Sequence, residues 1–399
     1  MNPTKWVYAC SSCGKLFPLE KGSYLCPECG PKTKSARPLE GILEAVWEGE
    51  APAERVPLPV EAKWFPPIAA GNTPLRAAPR LAAELGVGAL FLKDDGAEPS
   101  GSFKDRASAL VAAFAKREGI GEIVLASTGN AASSMSCMGA AAGLQVTVFV
   151  PAKAPVAKRV QVLQYGATLV PVDGSYDLAY EKSLEYSLDP VRASRVMSRN
   201  TAYNPMTVEG KKTVAFELLE ELELAEAFGA GKKAAGARLH VFVPTGDGAI
   251  LCGVYKGFED LVRLGRLDRV PTVWACQAEG SSAIFRALRD GSFGEPVPSD
   301  TAADSIAVDA PRAGILALKK LQHHAGRALA APDAEILAAQ RLAASKAGVF
   351  MEPSSAAAMA AYLRAAKDLP SDALPVVLAT GSGLKDVRTA ARAVGLSAD

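Results

Sequence analysis

From about residue 80 onward the chain alternates short runs of β-branched and aliphatic residues with longer helical patterns, and nothing else in the sequence constrains the fold as strongly. The runs are "GALFLKDD", "EIVLAS", "QVTVFVP", "ATLVPVDG", "SRVMSRN", "RLHVFVP", "PTVWACQ" and "LPVVLAT". Near-continuous apolar runs belong to strands covered on both faces, and alternation with helices makes such strands parallel. An α/β fold with a largely parallel sheet follows, and 399 residues allow two or three globular units. Four turns rich in glycine or hydroxyls, "SGSFKDR", "STGNAASS", "PTGDGAIL" and "ATGSGLKD", each stand just before a helix. Ligands of open α/β sheets bind beyond the carboxyl ends of strands, where backbone N–H groups and helix N-termini hold anions. Four such turns imply one well-equipped pocket.

The 44 basic and 43 acidic side chains nearly cancel, so no strong field draws the chain to nucleic acid or to an anionic membrane. A small-molecule ligand is the expectation. Three histidines leave no room for chemistry built on clustered imidazoles, and His240, inside "RLHVFVP", reads as a core residue. Apolar stretches such as "AAAGLQVTVFVP" are too short or too interrupted to span a bilayer, and "MNPTKWVYACSSCG" lacks a signal-peptide core, so a cytoplasmic chain is expected.

The N-terminal "YACSSCGKLFPLEKGSYLCPECGP" carries two CxxC knuckles, Cys10/Cys13 and Cys26/Cys29, twelve residues apart. Two such turns present four thiolates to one tetrahedral Zn²⁺, and the intervening residues are too few for a core, so the metal has to hold this zinc-ribbon-like module of residues 1–40 together. Residues 41–75, rich in proline and poor in periodicity, read as an extended arm. Cys137, Cys252 and Cys276 sit singly in apolar surroundings and read as buried, reduced thiols.

Ser102 and Asp105 form a capping-box pattern that starts a helix at Phe103 and puts Lys104 in its first turn. There the positive helix end and Arg106 disfavour an ammonium and favour a nucleophilic amine. A solvated first-turn lysine fits the stretch as well. In "TGDGAIL" the turn Gly246, Asp247, Gly248, Ala249, Ile250 either cups a phosphate or only shapes a bend. It is no dinucleotide fingerprint, because Leu251 replaces the third glycine, and no GxxxxGK[ST] occurs. In "STGNAASS", Ser127, Thr128, the Gly129 backbone and Asn130 suit a carboxylate or phenolate oxygen; no GxSxG elbow is present.

The ordered set "PSGSFKDRA", "STGNAASS", "PTGDGAIL", "EPSSAAA" and "ATGSGLKD" resembles the fold-type II pyridoxal-phosphate enzymes, and within them the threonine synthases, from about residue 70 to the C-terminus. The cysteine module is similar to the knuckle carried by some threonine synthases and cysteate synthases. The resemblance implies two open, mostly parallel sheets covered by helices with the active site between them. Its smaller lobe, roughly residues 108–215, would be inserted in a larger lobe of 76–107 and 216–399. By the same resemblance Lys104 would hold pyridoxal phosphate and shuttle protons, Asn130 would bond its ring hydroxyl, and Ser127 to Gly129 would take the substrate carboxylate. The turn from Gly246 to Ile250 would hold the cofactor phosphate and Thr380 would face the pyridine nitrogen. Lys158, Asn200, Thr201 and Asn204 would meet a substrate phosphate, and "EPSSAAA" at Glu352 would support the site as a helix start.

The implied reaction turns O-phospho-L-homoserine and water into L-threonine and phosphate, in a homodimer. Three departures bear on substrate: Ser382 stands where the family has histidine, Asp247 where it has asparagine, and Glu98 opens the lysine motif. Cysteate synthase (O-phosphoserine plus sulfite) and serine/threonine dehydratase stay open as alternatives. So does a non-enzyme, a binding or sensor protein built on the zinc module.

Overall fold

Strands form where the chain carries its continuous apolar runs, and the computed structural model describes them within residues 3–34, 36–152, 156–224 and 238–396, the side chains of 156–158 and 224 apart. In chain order they are β1 (Lys5–Cys10), β2 (Leu16–Pro18), β3 (Leu43–Glu48), β4 (Leu75–Ala77), β5 (Phe91–Asp94), β6 (Glu122–Ala126), β7 (Gln145–Pro151), β8 (Thr168–Val172), β9 (Val196–Ser198), β10 (Leu239–Pro244), β11 (Thr272–Ala278), β12 (Arg327–Ala331) and β13 (Leu374–Ala379). They build three sheets, ordered β2-β1-β3, β8-β7-β6-β9 and β12-β11-β10-β13-β5-β4. The chain divides into one unit of Met1–Ala70 with Lys104–Lys211 and a second of Gly71–Phe103 with Lys212–Asp399.

In the first unit, β6, β7, β8 and β9 pair in parallel. The chain steps outward from β6 to β8 and then returns to lay β9 on the other side of β6, so strand order reverses between β6 and β9. The helix Lys104–Arg117 is buried from Asp105 to Ala115, because "ASALVAAFA" offers small or apolar side chains on every face. Its residues Ala109–Ala115 share one core with Tyr8, Cys10, Tyr24, Cys26 and Cys29 of the cysteine module. That module is wider than its knuckles. β3, which lies in the stretch expected as an arm, pairs antiparallel with β1 and buries Leu43, Ala45 and Trp47, the alternate residues of "LEAVWE".

The second unit carries the six-stranded sheet, parallel except for the edge strand β4. Every residue of β10 and β13 is buried, as a strand covered on both faces requires. One cover is the helix Pro353–Ala365, whose alanines form a core with Phe242, Trp274 and Val377. Here too the order reverses: the chain steps from β10 to β12, and β13 then lies on the opposite side of β10. β12, "RALAA", has no β-branched residue, and its place comes from parallel pairing with β11. Among the described residues no helix is long and apolar enough to cross a membrane.

The helix expected from Phe103 begins at Lys104. Phe103 N–H donates to Thr380 O at 2.9 Å, and Ser102 bridges to Gly381, so both residues extend the sheet end. The Ser102 hydroxyl, expected as the cap, is buried without a hydrogen-bond partner. His240 is a core residue, accepting from Trp274 Nε1 at 3.2 Å, and burial pushes its imidazole pKa down. Cys137, Cys252 and Cys276 are buried and in no disulfide.

Candidate active site

The strand reversal in the first unit brings together the turn after β6 and the loop after β9, the kind of switch point at which α/β proteins bind ligands. Ala126 N–H donates to Asn200 Oδ1 at 2.9 Å, which ties the two segments. Ser127, Thr128 and Gly129 are half-buried, and a side chain at Gly129 would meet nothing within 4 Å, so the turn faces open space. Asn130 is buried and starts the helix Asn130–Ala142. Ser134 of that helix donates to Ser108 at 2.7 Å. Lys104 and Asn130 start these helices, each four residues before its serine, about 6 Å along the axis.

The loop after β9 is less simple than its sequence. Asn200 donates through Nδ2 to Ser183 Oγ at 2.8 Å while its Oδ1 holds Ala126, and Asn204 bonds Ser198 O at 2.7 Å and Met206 N–H at 2.9 Å. Both are buried, and both amides shape the loop from within. Thr201 is partly exposed and accepts from Arg199 Nη1 at 2.6 Å; Nη2 of Arg199 lies 3.4 Å from Ser108 Oγ. Arg199 is fully buried. Sequence reading passed over it, since an arginine after a short strand looks like any surface arginine. Lys158 lies in the helix Val156–Gln164, with its side chain outside the described residues.

In the second unit the reversal between β10 and β13 juxtaposes the other two turns. After β10, Gly248 adopts φ 89°, a left-handed conformation suited to glycine, and opens the helix Ala249–Arg263. Asp247 Oδ1 accepts the Ala249 N–H at 2.9 Å, so a carboxylate of the chain itself engages one of the amides expected to hold a phosphate. After β13, the Thr380 hydroxyl shares a hydrogen bond of 3.0 Å with Ser355, two residues into the helix Pro353–Ala365. Gly381 packs so closely that a Cβ there would lie 2.6 Å from the Glu352 carboxylate, and Glu352 N–H donates to Gly381 O at 2.9 Å. The helix leaving the phosphate-type turn is clamped at its far end. Asp260 bonds Lys212 at 2.8 Å and Lys256 at 2.5 Å, and Glu259 bonds Lys320 at 2.8 Å and His324 at 2.9 Å. Burial pushes the Glu259 carboxyl up, but Lys320 and His324 outweigh it and hold the pKa at about 2.

The four thiols of the knuckles lie within 4.8 Å of one another, an arrangement that can hold a metal ion. Ser12 and Cys13 N–H groups point at Cys10 Sγ at 3.3 and 3.4 Å. The Lys15 amide draws the Cys13 thiol down to about 7, whereas burial pushes Cys29 up to about 12 and raises Cys10 as well. Thiols this close ionise together only beside a cation, which is what a dication supplies.

Each of the two larger sheets carries its turns at a strand reversal, the arrangement of ligand-binding α/β folds. Residues 68–381 match the family described as pyridoxal-phosphate dependent enzymes, and the chain belongs to it. It is 34% identical over 349 residues to the threonine synthase of Mycobacterium tuberculosis, covering 86% of this chain and 90% of that one. To the threonine synthase of Methanocaldococcus jannaschii it is 30% identical over 399 residues, covering 96% and 94%. Among solved structures, an L-serine ammonia-lyase from the fungus Rhizomucor miehei shares the fold with a TM-score of 0.67 at 22% identity, over 81% of this chain and 98% of that one. Within the first unit the residues leave room for such a cofactor: open space lies over Gly129, next to the buried Asn130.

Proposed function

We propose that this protein is a threonine synthase that converts O-phospho-L-homoserine and water into L-threonine and phosphate. The observation that carries the reading is the match to threonine synthases at 30–35% identity over 86–96% of the chain. Bound pyridoxal phosphate supplies an electron sink for carbanion chemistry at the substrate amino acid. The protein's part is to hold it, place the substrate and move protons. Lys104 would hold the cofactor through Nζ, and the same amine would take and return protons at substrate Cα and Cβ, since one positioned amine can serve successive transfers. Asn130 orients the ring hydroxyl, and the Ser127, Thr128 and Gly129 turn receives the substrate carboxylate.

Gly246, Asp247, Gly248, Ala249 and Ile250 hold the cofactor phosphate through backbone N–H groups at the helix start. Thr380, steadied by Ser355, offers the ring nitrogen a neutral hydroxyl, which leaves that nitrogen largely unprotonated. Thr201 and Lys158 meet the substrate phosphate, while Asn200 and Asn204 set the shape of the loop that presents Thr201. Residues 76–399 are the catalytic region in this reading. The four cysteines bind a structural Zn²⁺, and the enzyme works as a cytoplasmic homodimer with no nucleic-acid or membrane partner.

The test is a substrate panel with pyridoxal phosphate added. Threonine and phosphate appearing in equal amounts from O-phosphohomoserine is expected. Phosphate released only from O-phosphoserine with sulfite would make the protein a cysteate synthase, and ammonia from threonine alone would make it a dehydratase.

A further inference from the structure

The cysteine module reaches the loop after β9 through Tyr24. Tyr24 stands two residues before Cys26, and its phenol oxygen accepts the Ser198 N–H at 2.9 Å. Its ring stacks on Tyr203 with centroids 4.7 Å apart and planes 23° off parallel. Ser198 is the foot of the loop. Its hydroxyl accepts Asn200 N–H at 3.3 Å and its carbonyl accepts Asn204 Nδ2 at 2.7 Å, so of its three polar groups two fix the loop and the third belongs to the module. Tyr203 lies within the loop itself, so Tyr24 grips both its foot and its far side. A second, exposed contact runs from Lys21 Nζ to Ser194 O at 3.3 Å.

The loop needs such a grip. Ala202 adopts φ 65°, a left-handed conformation that residues with a side chain rarely hold, and its N–H is fixed by Thr207 Oγ1 at 3.1 Å. Strained backbone of this kind persists when its surroundings over-determine it. Ala202 follows Thr201, so a shift of the strained residue displaces the hydroxyl that Arg199 presents.

We propose that the cysteine module acts as a brace for the substrate-phosphate loop and that Tyr24 is its positioning residue, setting the place of Thr201 through Ser198 and Tyr203. The proposal rests on the reading of residues 199–204 as the loop that meets the substrate phosphate. It gives the module a role in substrate affinity beyond holding the first unit together.

Tyr24→Phe keeps the ring stack and removes the oxygen that accepts the Ser198 N–H, leaving a buried donor unpaired. In the holoenzyme, KM for O-phosphohomoserine rises by roughly five- to thirtyfold, the range one such lost bond commands. In the same variant kcat and the absorbance of bound cofactor stay within about twofold, and amide hydrogen exchange quickens at residues 198–204 while the helices 104–117 and 130–142 keep their protection. Thr201→Ala, measured alongside, raises KM as well. If Thr201→Ala raises KM and Tyr24→Phe changes neither KM nor exchange at 198–204, the brace is refuted and the loop keeps its assigned role. If exchange quickens in Tyr24→Phe but neither variant moves KM, the loop does not meet substrate, and the reading falls together with the proposal.

Discussion

Both sheets reverse strand order beside a pair of turns, yet the two pairs are finished differently. After β6 and β9, the turn Ser127–Gly129 is left half-exposed with open space over Gly129, and the neighbouring loop is held from behind by Asn200 and Asn204. After β10 and β13 the polar groups already answer one another, Asp247 to Ala249 and Ser355 to Thr380, and the helix beyond is clamped by buried ion pairs. A turn satisfied from within stands ready in one shape, and a ligand arriving there competes with an internal partner. An open turn is completed by its ligand. In the proposed enzyme the closed pair serves the resident cofactor and the open pair the substrate that comes and goes.

The largest expected effect falls on the residue that joins the two functions. Lys104→Ala abolishes the visible absorbance of bound pyridoxal phosphate and lowers turnover by at least about 10³-fold, with circular dichroism unchanged. Next comes the proposed Zn²⁺. Chelation or Cys26→Ser destabilises the first unit by about 4 kcal/mol, read as quickened exchange in β1 and in the helix Lys104–Arg117, while β10 and β13 stay protected. Acid separates the regions in the other direction. Because the Glu259 pKa is depressed from 4.5 to about 2, its stabilisation is fully present above the unfolded value and is lost as pH falls towards the folded one. Glu259→Gln therefore removes on the order of 2 kcal/mol at neutral pH and flattens the acid limb of a stability profile. The smallest effect is at the closed turn. Asp247→Asn removes a negative charge beside the bound phosphate and tightens pyridoxal-phosphate binding by about three- to tenfold in an absorbance titration; an unchanged Kd would detach the phosphate from this turn.

Much of this was legible in the chain, and the limits have physical causes. The strands from β5 to β11 and β13 announce themselves because runs of bulky apolar or β-branched residues are a local signal, whereas β12 is nearly all alanine and becomes a strand by pairing with β11. β3 hides in a proline-rich stretch, since its alternation needs β1 beside it to count. The four turns could be read because glycine and hydroxyl residues mark backbone shape directly. Which partner each side chain takes could not: Asn200 is turned inward by Ala126 and Ser183, and Arg199 lies by Ser108, segments far off in the chain, while the short-range bonds of Asn204 to Met206 and of Asp247 to Ala249 depend on the exact backbone shape of their turns. Ser102, whose spacing to Asp105 spells a cap, is drawn instead to the sheet end by Gly381.

The central claim is that Lys104 carries the cofactor, and it is tested most directly by reducing the holoenzyme with borohydride and mapping the pyridoxyl group by peptide mass spectrometry. The account predicts the label on the peptide containing Lys104 and on no other lysine. A label fixed elsewhere, or a Lys104→Ala protein that still takes up a reducible cofactor, would contradict it.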